Sequence, residues 1–265
     1  MQQDAIQLWT PSHAELPPET ILCIQVNGEP LLRVAASLVR QKALAVGFLY
    51  YSGIIQHQDE IEVLHLSREG ACVDIWLTHA LDDRSQDPLL TSGCGRGLVW
   101  GELYRPDAPL EDDLRVSPEK IIAMMGTLQN NARLYHQTRG VHSSALFSPE
   151  DELLALAEDI GRHNTLDKLL GLCLLEDIVS EGAILLSTGR ISSEMVSKAA
   201  RMRAPIVGSL TAITSLAATL AEEWGMTTVG YVRGRGMQIC THPRRIAPTG
   251  SIAAARTPNP LACSR

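Results

Sequence analysis

The stretch "AILLSTGRISSEMVSKAARMRAPIVGSLTAITSLAATLAEEWGMTTVGYV", Ala183 to Val232, decides the architecture. Short apolar runs, AILLSTG, PIVGSLTA and MTTVGYV, alternate in it with the helix-length segments SSEMVSKAARMR and TSLAATLAEEWG. Apolar runs of strand length joined by such segments predict a largely parallel sheet covered by helices. Upstream, LLALAED and RHNTLDKLLGLCLLE add a further strand and helix, so the alternation begins at Leu153.

Before that point the pattern changes. "ILCIQVNGEPLLRV" reads as a hairpin: apolar alternation from Ile21 to Val26, an Asn27-Gly28 turn pair, and an extended run from Leu31 to Val34. A helix is predicted from Ser37 to about Tyr51, closed by Gly53. Two more extended runs, Ile61 to Leu66 and Ala71 to Leu77, flank a Glu69-Gly70 turn and predict an antiparallel sheet across the first third. Ser117-Pro118 opens another helix, running to about Tyr135, because Ser caps free amides and Pro is pre-set for the first turn. A loop is expected over 137–141.

The expected fold class is therefore α/β, α+β overall. An N-terminal extension covers 1–20, and an antiparallel β-rich part with helices covers 21–135. An α/β domain occupies 136–246, and a disordered tail without periodicity 247–265.

At 265 residues and 45% apolar content the chain has material for a substantial core. A net charge of −7 argues against a general nucleic-acid or membrane-surface binder. The start, MQQDAIQLWTPSHAELPPET, has no basic or apolar leader, and no stretch approaches the roughly 18 apolar residues of a spanning helix, so a cytoplasmic protein is expected. Ser187 to Arg245 nevertheless carries eight Lys and Arg against three Glu, a local +5 where an anionic ligand would dock.

In parallel α/β sheets ligands collect where strands end and helices begin, because helix N-termini present unpaired amides and partial positive charge. Two such junctions are explicit. In "LLSTGRISSEM", Ser192 or Ser193 can cap a helix beside Arg190; in "LTAITSLAA", Thr214 and Ser215 stand at the helix start. A third feature is "YVRGRG", Tyr231 to Gly236, where Gly234 and Gly236 leave the backbone accessible while Arg233 and Arg235 offer forked donors to phosphate or a planar base. The same letters also fit a solvated turn between two strands. In "EDIGRHNTLDKLLG", His163 and Asp167 would share a helical face. Such a pair fits a proton-moving or phosphate-contacting histidine, or equally a capped helix start with surface ion pairs.

The six cysteines show no CxxC pair, so neither a disulfide framework nor a zinc module is expected. Cys23, Cys72 and Cys240 fall in extended apolar runs, Cys173 in a helix and Cys263 in the tail. Cys94 differs: in "LLTSGCGRGLVW" it stands between glycines with Arg96 close by. A thiol is nucleophilic as the thiolate, which exposure and nearby positive charge favour, and Gly93, Gly95 and Gly97 let the loop change position.

Taken together, "GFLYYSGII", "TSGCGRG", "GVHSSALF", "EDIGRHNTLDKLLG" and the run from "GRISSEMVSK" to "THPRRI" resemble the formate dehydrogenase accessory sulfurtransferase family, the FdhD-type proteins, over Ile21 to Ile246. The resemblance implies a cytidine-deaminase-like, three-layer α/β fold for the second half. It also implies that a cysteine desulfurase hands sulfur to the loop cysteine, here Cys94. That cysteine carries it as a persulfide to the bis-guanine-dinucleotide molybdenum cofactor before the cofactor enters formate dehydrogenase. By the same resemblance Tyr231, Val232, Arg233, Gly234, Arg235 and Gly236 contact the guanine nucleotide portion, for which a GDP-like nucleotide is a mimic, and the protein is a homodimer. Arg190, Ser193 and Thr214 are expected as supporting anion contacts, with His163 a further candidate. Many relatives carry a CxxC pair in the loop; here Gly97 stands where the second thiol would be, and transfer through one cysteine remains chemically sufficient.

Competing readings of the same residues differ in strength. Zinc-dependent deamination needs an H-x-E or similar motif and a PCxxC pair, and neither is present. A metal site from Cys94, His142, His163 and His242 lacks recognised ligand spacing, so no metal is expected. A non-catalytic chaperone that holds the guanine-nucleotide cofactor, with Cys94 a mere surface thiol, stays open.

Overall fold

The computed structural model describes residues 16–67, 69–81, 88–91, 97–100, 103–234 and 236–247, with the backbone alone over 88–91 and 97–100. Cys94, Arg235, Cys263, most of the N-terminal extension and all but the first residue of the tail lie outside the described residues, and so do the expectations placed on them.

The Ala183–Val232 alternation folds as read. Strands β9 (Ile184–Ser187), β10 (Ile206–Ser209) and β11 (Thr227–Arg233) run parallel, with Ile184, Ile206 and Thr227 in register. Helices α5 (Ser193–Arg201) and α6 (Ser215–Glu223) are their crossovers. Strand β8 (Leu153–Asp159) and helix α4 (Arg162–Leu175) lead into β9. The six-stranded sheet, in the order β12-β11-β10-β9-β7-β8, is parallel at its centre and mixed outside it. Strand β7 (His142–Phe147) inserts antiparallel between β8 and β9, and β12 (Gly236–Ile239) pairs antiparallel with β11. The strand β7 has no period-2 signal because five of its six residues are buried. Its Ser144 hydroxyl lies 2.7 Å from Thr165 Oγ1 and donates to Ser187 Oγ at 2.9 Å, which satisfies the polar group inside the layer.

Alternation within those strands makes three layers. Ala145, Phe147, Ile184, Leu186 and Val229 pack with Ile121, Met124, Met125 and Leu128 of helix α2 (Pro118–Asn131). Leu146, Leu185 and Val207 pack with residues of α4, α5 and α6, among them Leu169, Met195, Ala199 and Ala217. Helix α1 (Gln41–Tyr51) then lies on α4, and its Leu44, Phe48 and Leu49 join Leu22, Ile24, Val73 and Ile75 beneath a second sheet.

That second sheet, β2-β1-β4-β3, departs from the antiparallel expectation. The β1 (Thr20–Val26) and β2 (Glu29–Ala36) hairpin forms as read, with Asn27 and Gly28 at φ 53° and 84°. Strands β3 (Ile61–Leu66) and β4 (Cys72–Leu77) are also antiparallel. Yet β1 and β4 pair in parallel, Cys23 opposite Cys72, because α1 crosses over the sheet between the two hairpins.

Two helix boundaries also shift. Helix α1 begins at Gln41 rather than Ser37 because Ser37 is committed elsewhere: its amide donates to Asp159 Oδ2 at 3.0 Å and its hydroxyl to the Pro18 carbonyl at 3.0 Å. Helix α2 ends at Asn131 rather than near Tyr135, and the short α3 (Arg133–Thr138) starts afresh. The Glu158 carboxylate draws the amides of Leu134 and Tyr135 at 2.9 and 2.8 Å, acting as an anionic cap from β8.

Strands β5 (Pro88–Thr91) and β6 (Gly97–Trp100) pair antiparallel, with Thr91 opposite Gly97. Beyond them the chain is fastened twice. The Tyr104 carbonyl accepts from Ser197 of α5 at 2.7 Å, and fully buried Arg245 holds Asp112 with Nε and a terminal nitrogen while bonding the Leu110 and Gly225 carbonyls.

Candidate functional site

The carboxyl ends of β8, β9, β10 and β11 and the N-termini of α4, α5 and α6 meet at one edge of the large sheet, the place where this architecture puts ligands. The backbone there is knitted together. The Ile191 amide donates to the Ala212 carbonyl at 3.1 Å, and the Thr214 amide donates back to the Ile191 carbonyl at 3.0 Å. The Tyr231 amide donates to the Thr211 carbonyl at 2.9 Å, and Arg233 Nε donates to the Leu210 carbonyl at 2.8 Å. The two helix-start junctions and the "YVRG" stretch, far apart in sequence, thus form one continuous wall.

The predicted side chains take different positions on that wall. Arg190 is exposed and Ser193 half-buried. Thr214 caps α6, its hydroxyl accepting from the Ala217 amide at 3.3 Å, and Ser215 is exposed. Tyr231 is 49% exposed with φ at 53°, so its ring stands in solvent beside that wall. Val232 is 1% exposed and packs in the α2 core, which leaves only its backbone for a ligand. Arg233 is exposed, Gly234 turns at φ 53°, and Gly236 opens β12, so the stretch is indeed a turn between two strands. That turn is also joined to the wall through the Tyr231 amide and Arg233 Nε.

Between α4 and α5 lies a charged cluster that is buried rather than a set of surface pairs. Lys198 Nζ sits 2.7 and 2.8 Å from the two oxygens of Asp167 and 3.0 Å from Glu194, and Glu194 lies 2.9 Å from His163 Nδ1. The His163 contact is a short approach, not a well-aligned hydrogen bond. Burial pushes the Asp167 carboxyl up, which favours the neutral acid. Burial alone would lower Lys198, yet Asp167 and Glu194 hold it above the ordinary lysine value, which favours the ammonium. Geometry decides for the ion pair: three short contacts to two carboxylates suit a three-donor ammonium. The ammonium also lies 4.9 Å from the centre of the Tyr51 ring, and burial first of all pushes that phenol up to about 12. Tyr51 donates to Ser197 at 2.9 Å, and Ser197 holds Tyr104.

His163 and Asp167 do share a face, as read, but sequence reasoning missed their partners Glu194 and Lys198. The i,i+4 spacing of Glu194 and Lys198 was the available signal. Arg162, 7% exposed, and His142, named in sequence only within the junction motif and the metal alternative, lie close to each other. A Cβ on Gly189 would meet Arg162 Cβ at 2.9 Å and His142 Nδ1 at 3.3 Å, so all three sit together under the β9–α5 junction. Burial, then the charges of Arg162 and His163, lower the His142 pKa.

The described thiols differ sharply. Burial pushes Cys173 up to about 11, and burial with the adjacent Cys23 thiol and the Asp74 carboxylate holds Cys72 well above the usual thiol range. Both are poor nucleophiles at neutral pH. Cys240 is exposed, and Cys94 lies outside the described residues. Among the described residues no three or more His, Cys, Asp or Glu side chains are placed to hold a metal ion, and no helix is long and apolar enough to cross a membrane.

The fold and this edge define an α/β protein in which three strand-to-helix junctions meet at the carboxyl edge of the large sheet. Residues 17–247 match the FdhD/NarQ family, and the chain belongs to it. It is 36% identical over 237 residues to a protein of Bacillus pumilus strain SAFR-032 named sulfur carrier protein FdhD, covering 88% of this chain and 90% of that one. A protein of the same name from Staphylococcus aureus strain MRSA252 is 35% identical over 232 residues, covering 85% and 86%. The crystal structure of a Desulfotalea psychrophila protein described as a formate dehydrogenase accessory protein superposes with a TM-score of 0.70 at 26% identity, covering 88% and 90%.

Proposed function

We propose that this chain is a cytoplasmic sulfur carrier for formate dehydrogenase maturation, working through a persulfide on Cys94. The likeness over nearly the whole chain to relatives named sulfur carriers carries the reading. In the first step the Cys94 thiolate attacks the outer sulfur of a cysteine desulfurase persulfide. The desulfurase sulfur–sulfur bond breaks, its cysteine leaves as a thiolate, and Cys94 becomes the persulfide. In the second step the Cys94 sulfur–sulfur bond would break as the outer sulfur passes to the bis-guanine-dinucleotide molybdenum cofactor; that sulfur would take up two electrons from a reduced molybdenum centre, and Cys94 would leave as the thiolate.

The carboxyl edge of the large sheet is the proposed seat of the cofactor's guanine nucleotide end. Tyr231 offers a ring for the base, Arg233 and Arg235 offer forked donors, and the accessible backbone at Val232, Gly234 and Gly236 permits close approach. Arg190, Ser193 and Thr214 are supporting anion contacts. A homodimer is part of the same proposal. The high thiol pKa values of Cys72 and Cys173 favour Cys94 over either as carrier.

The test is complementation: wild type and Cys94→Ala are expressed in a host lacking its own carrier, and formate dehydrogenase activity is assayed. The reading expects activity with wild type and loss of most of it with Cys94→Ala. Full activity with the variant overturns the carrier role and leaves a cofactor-holding chaperone.

A further inference from the structure

Ser192 is the N-cap residue of α5, in extended backbone geometry at φ −99° and ψ 174°, and it is only 6% exposed. A serine there normally accepts a hydrogen bond from an amide of the first turn. Ser192 does not, and its buried Oγ has no partner among the described residues. At the equivalent position of α6, Thr214 makes that capping bond. A buried hydroxyl without a partner costs about 1–3 kcal/mol and calls for an explanation.

The surroundings point to an anion. The first-turn amides of a nine-residue helix have no acceptor within the helix, and its dipole places partial positive charge at Ser192. Glu194, in that first turn, is drawn away toward Lys198 and His163. Arg162 packs against Gly189, three residues before Ser192, and heads α4, whose N-cap Gly161 has no side chain to cap it. Burial first, and after it the charges of Arg162 and His163, lower the pKa of the neighbouring His142.

We propose that Ser192 and the first turn of α5, with Arg162 alongside, form the socket for a phosphoryl group of the bound nucleotide. This rests on the nucleotide-binding reading above and moves the phosphate away from the exposed Arg233 turn. Phosphoryl oxygens accept from the Ser192 hydroxyl and the α5 amides, and the guanidinium balances the charge. Tyr231 and Arg233, joined to the wall through Thr211 and Leu210, are left to the nucleoside.

Calorimetric titration of the full chain with guanosine, GDP and pyrophosphate tests this, using wild type, Ser192→Ala, Ser192→Thr and Arg162→Gln. Wild type is expected to bind GDP more tightly than guanosine. Ser192→Ala should weaken GDP and pyrophosphate about tenfold with guanosine unchanged, Ser192→Thr should restore most of the loss, and Arg162→Gln should act in the same direction. GDP and pyrophosphate binding unchanged in both Ser192→Ala and Arg162→Gln overturns the socket and leaves the nucleotide reading standing. Pyrophosphate binding that depends on Ser192, without binding of guanosine or GDP, keeps the socket and overturns the nucleotide reading. A wild type that binds none of the three overturns both.

Discussion

Lys198 and Asp167 meet between α5 and α4 with Nζ 2.7 Å from one carboxylate oxygen and 2.8 Å from the other, both side chains almost wholly out of solvent. Removing one partner strands a buried charge. Asp167→Asn is therefore expected to destabilise the fold by about 3–5 kcal/mol. Arg203→Ala, which removes an exposed pair with Glu181, should change stability by about 1 kcal/mol or less. Urea unfolding of both variants checks the contrast, and equal effects would mean the cluster is solvated.

Helices α1 and α4 touch backbone to backbone. A Cβ on Gly171 would lie 1.9 Å from the Ala43 carbonyl oxygen, and one on Gly47 1.8 Å from the Asp167 oxygen. Neither neighbour is a side-chain tip that can swing away. Gly171→Ala should thus cost about 3 kcal/mol or more, against the gain usual for alanine in a helix. Thermal melting at fixed pH reads the effect; a variant as stable as wild type would contradict the close crossing.

His142 links stability to pH. Its folded pKa is lowered from 6.5, first by burial and then by the Arg162 and His163 charges, so the unfolded chain takes up its proton more readily. The stabilisation is fully present above 6.5 and is lost as the pH falls through that value toward the folded one. His142→Gln should flatten the fall in urea midpoint between about pH 7.5 and 5.5 relative to wild type. Parallel curves would remove His142 from the acid response.

The thiols should separate by reactivity. With Cys173 pushed up to about 11, its thiolate is scarce at pH 8, and alkylation by iodoacetamide should run at least about a hundredfold slower than for an ordinary thiol. Peptide mapping over time should find Cys240 modified early and Cys72 and Cys173 late. Early modification of Cys173 would show that α4 opens readily.

Most of the large sheet was legible because β9, β10 and β11 are short buried runs separated by helices, a pattern that survives in one dimension. Strand β7 was not, since its buried serines carry no hydrophobic signature and find partners on α4 and β9. The parallel pairing of β1 with β4 was hidden for a related reason: local turn residues specify hairpins, but only the path of α1 brings the two hairpins together. Along the site edge, Arg190, Ser193, Thr214 and Arg233 were proposed from residue type and junction and Tyr231 from the family resemblance, and the backbone bonds of that edge bring their stretches together. The Glu194–Lys198–Asp167 cluster looked like the polar face of two surface helices, and only the close α1–α4 crossing and the packing of α5 on α4 bury it.

The central claim is that Cys94 carries sulfur, and intact-protein mass spectrometry tests it most directly. Wild type, Cys94→Ala and Cys240→Ala are incubated with a cysteine desulfurase and cysteine, then weighed without reductant. A gain of one sulfur mass in wild type and Cys240→Ala, absent from Cys94→Ala, is the predicted result. A gain that persists in Cys94→Ala, or no gain in any of the three, would contradict the carrier role of Cys94.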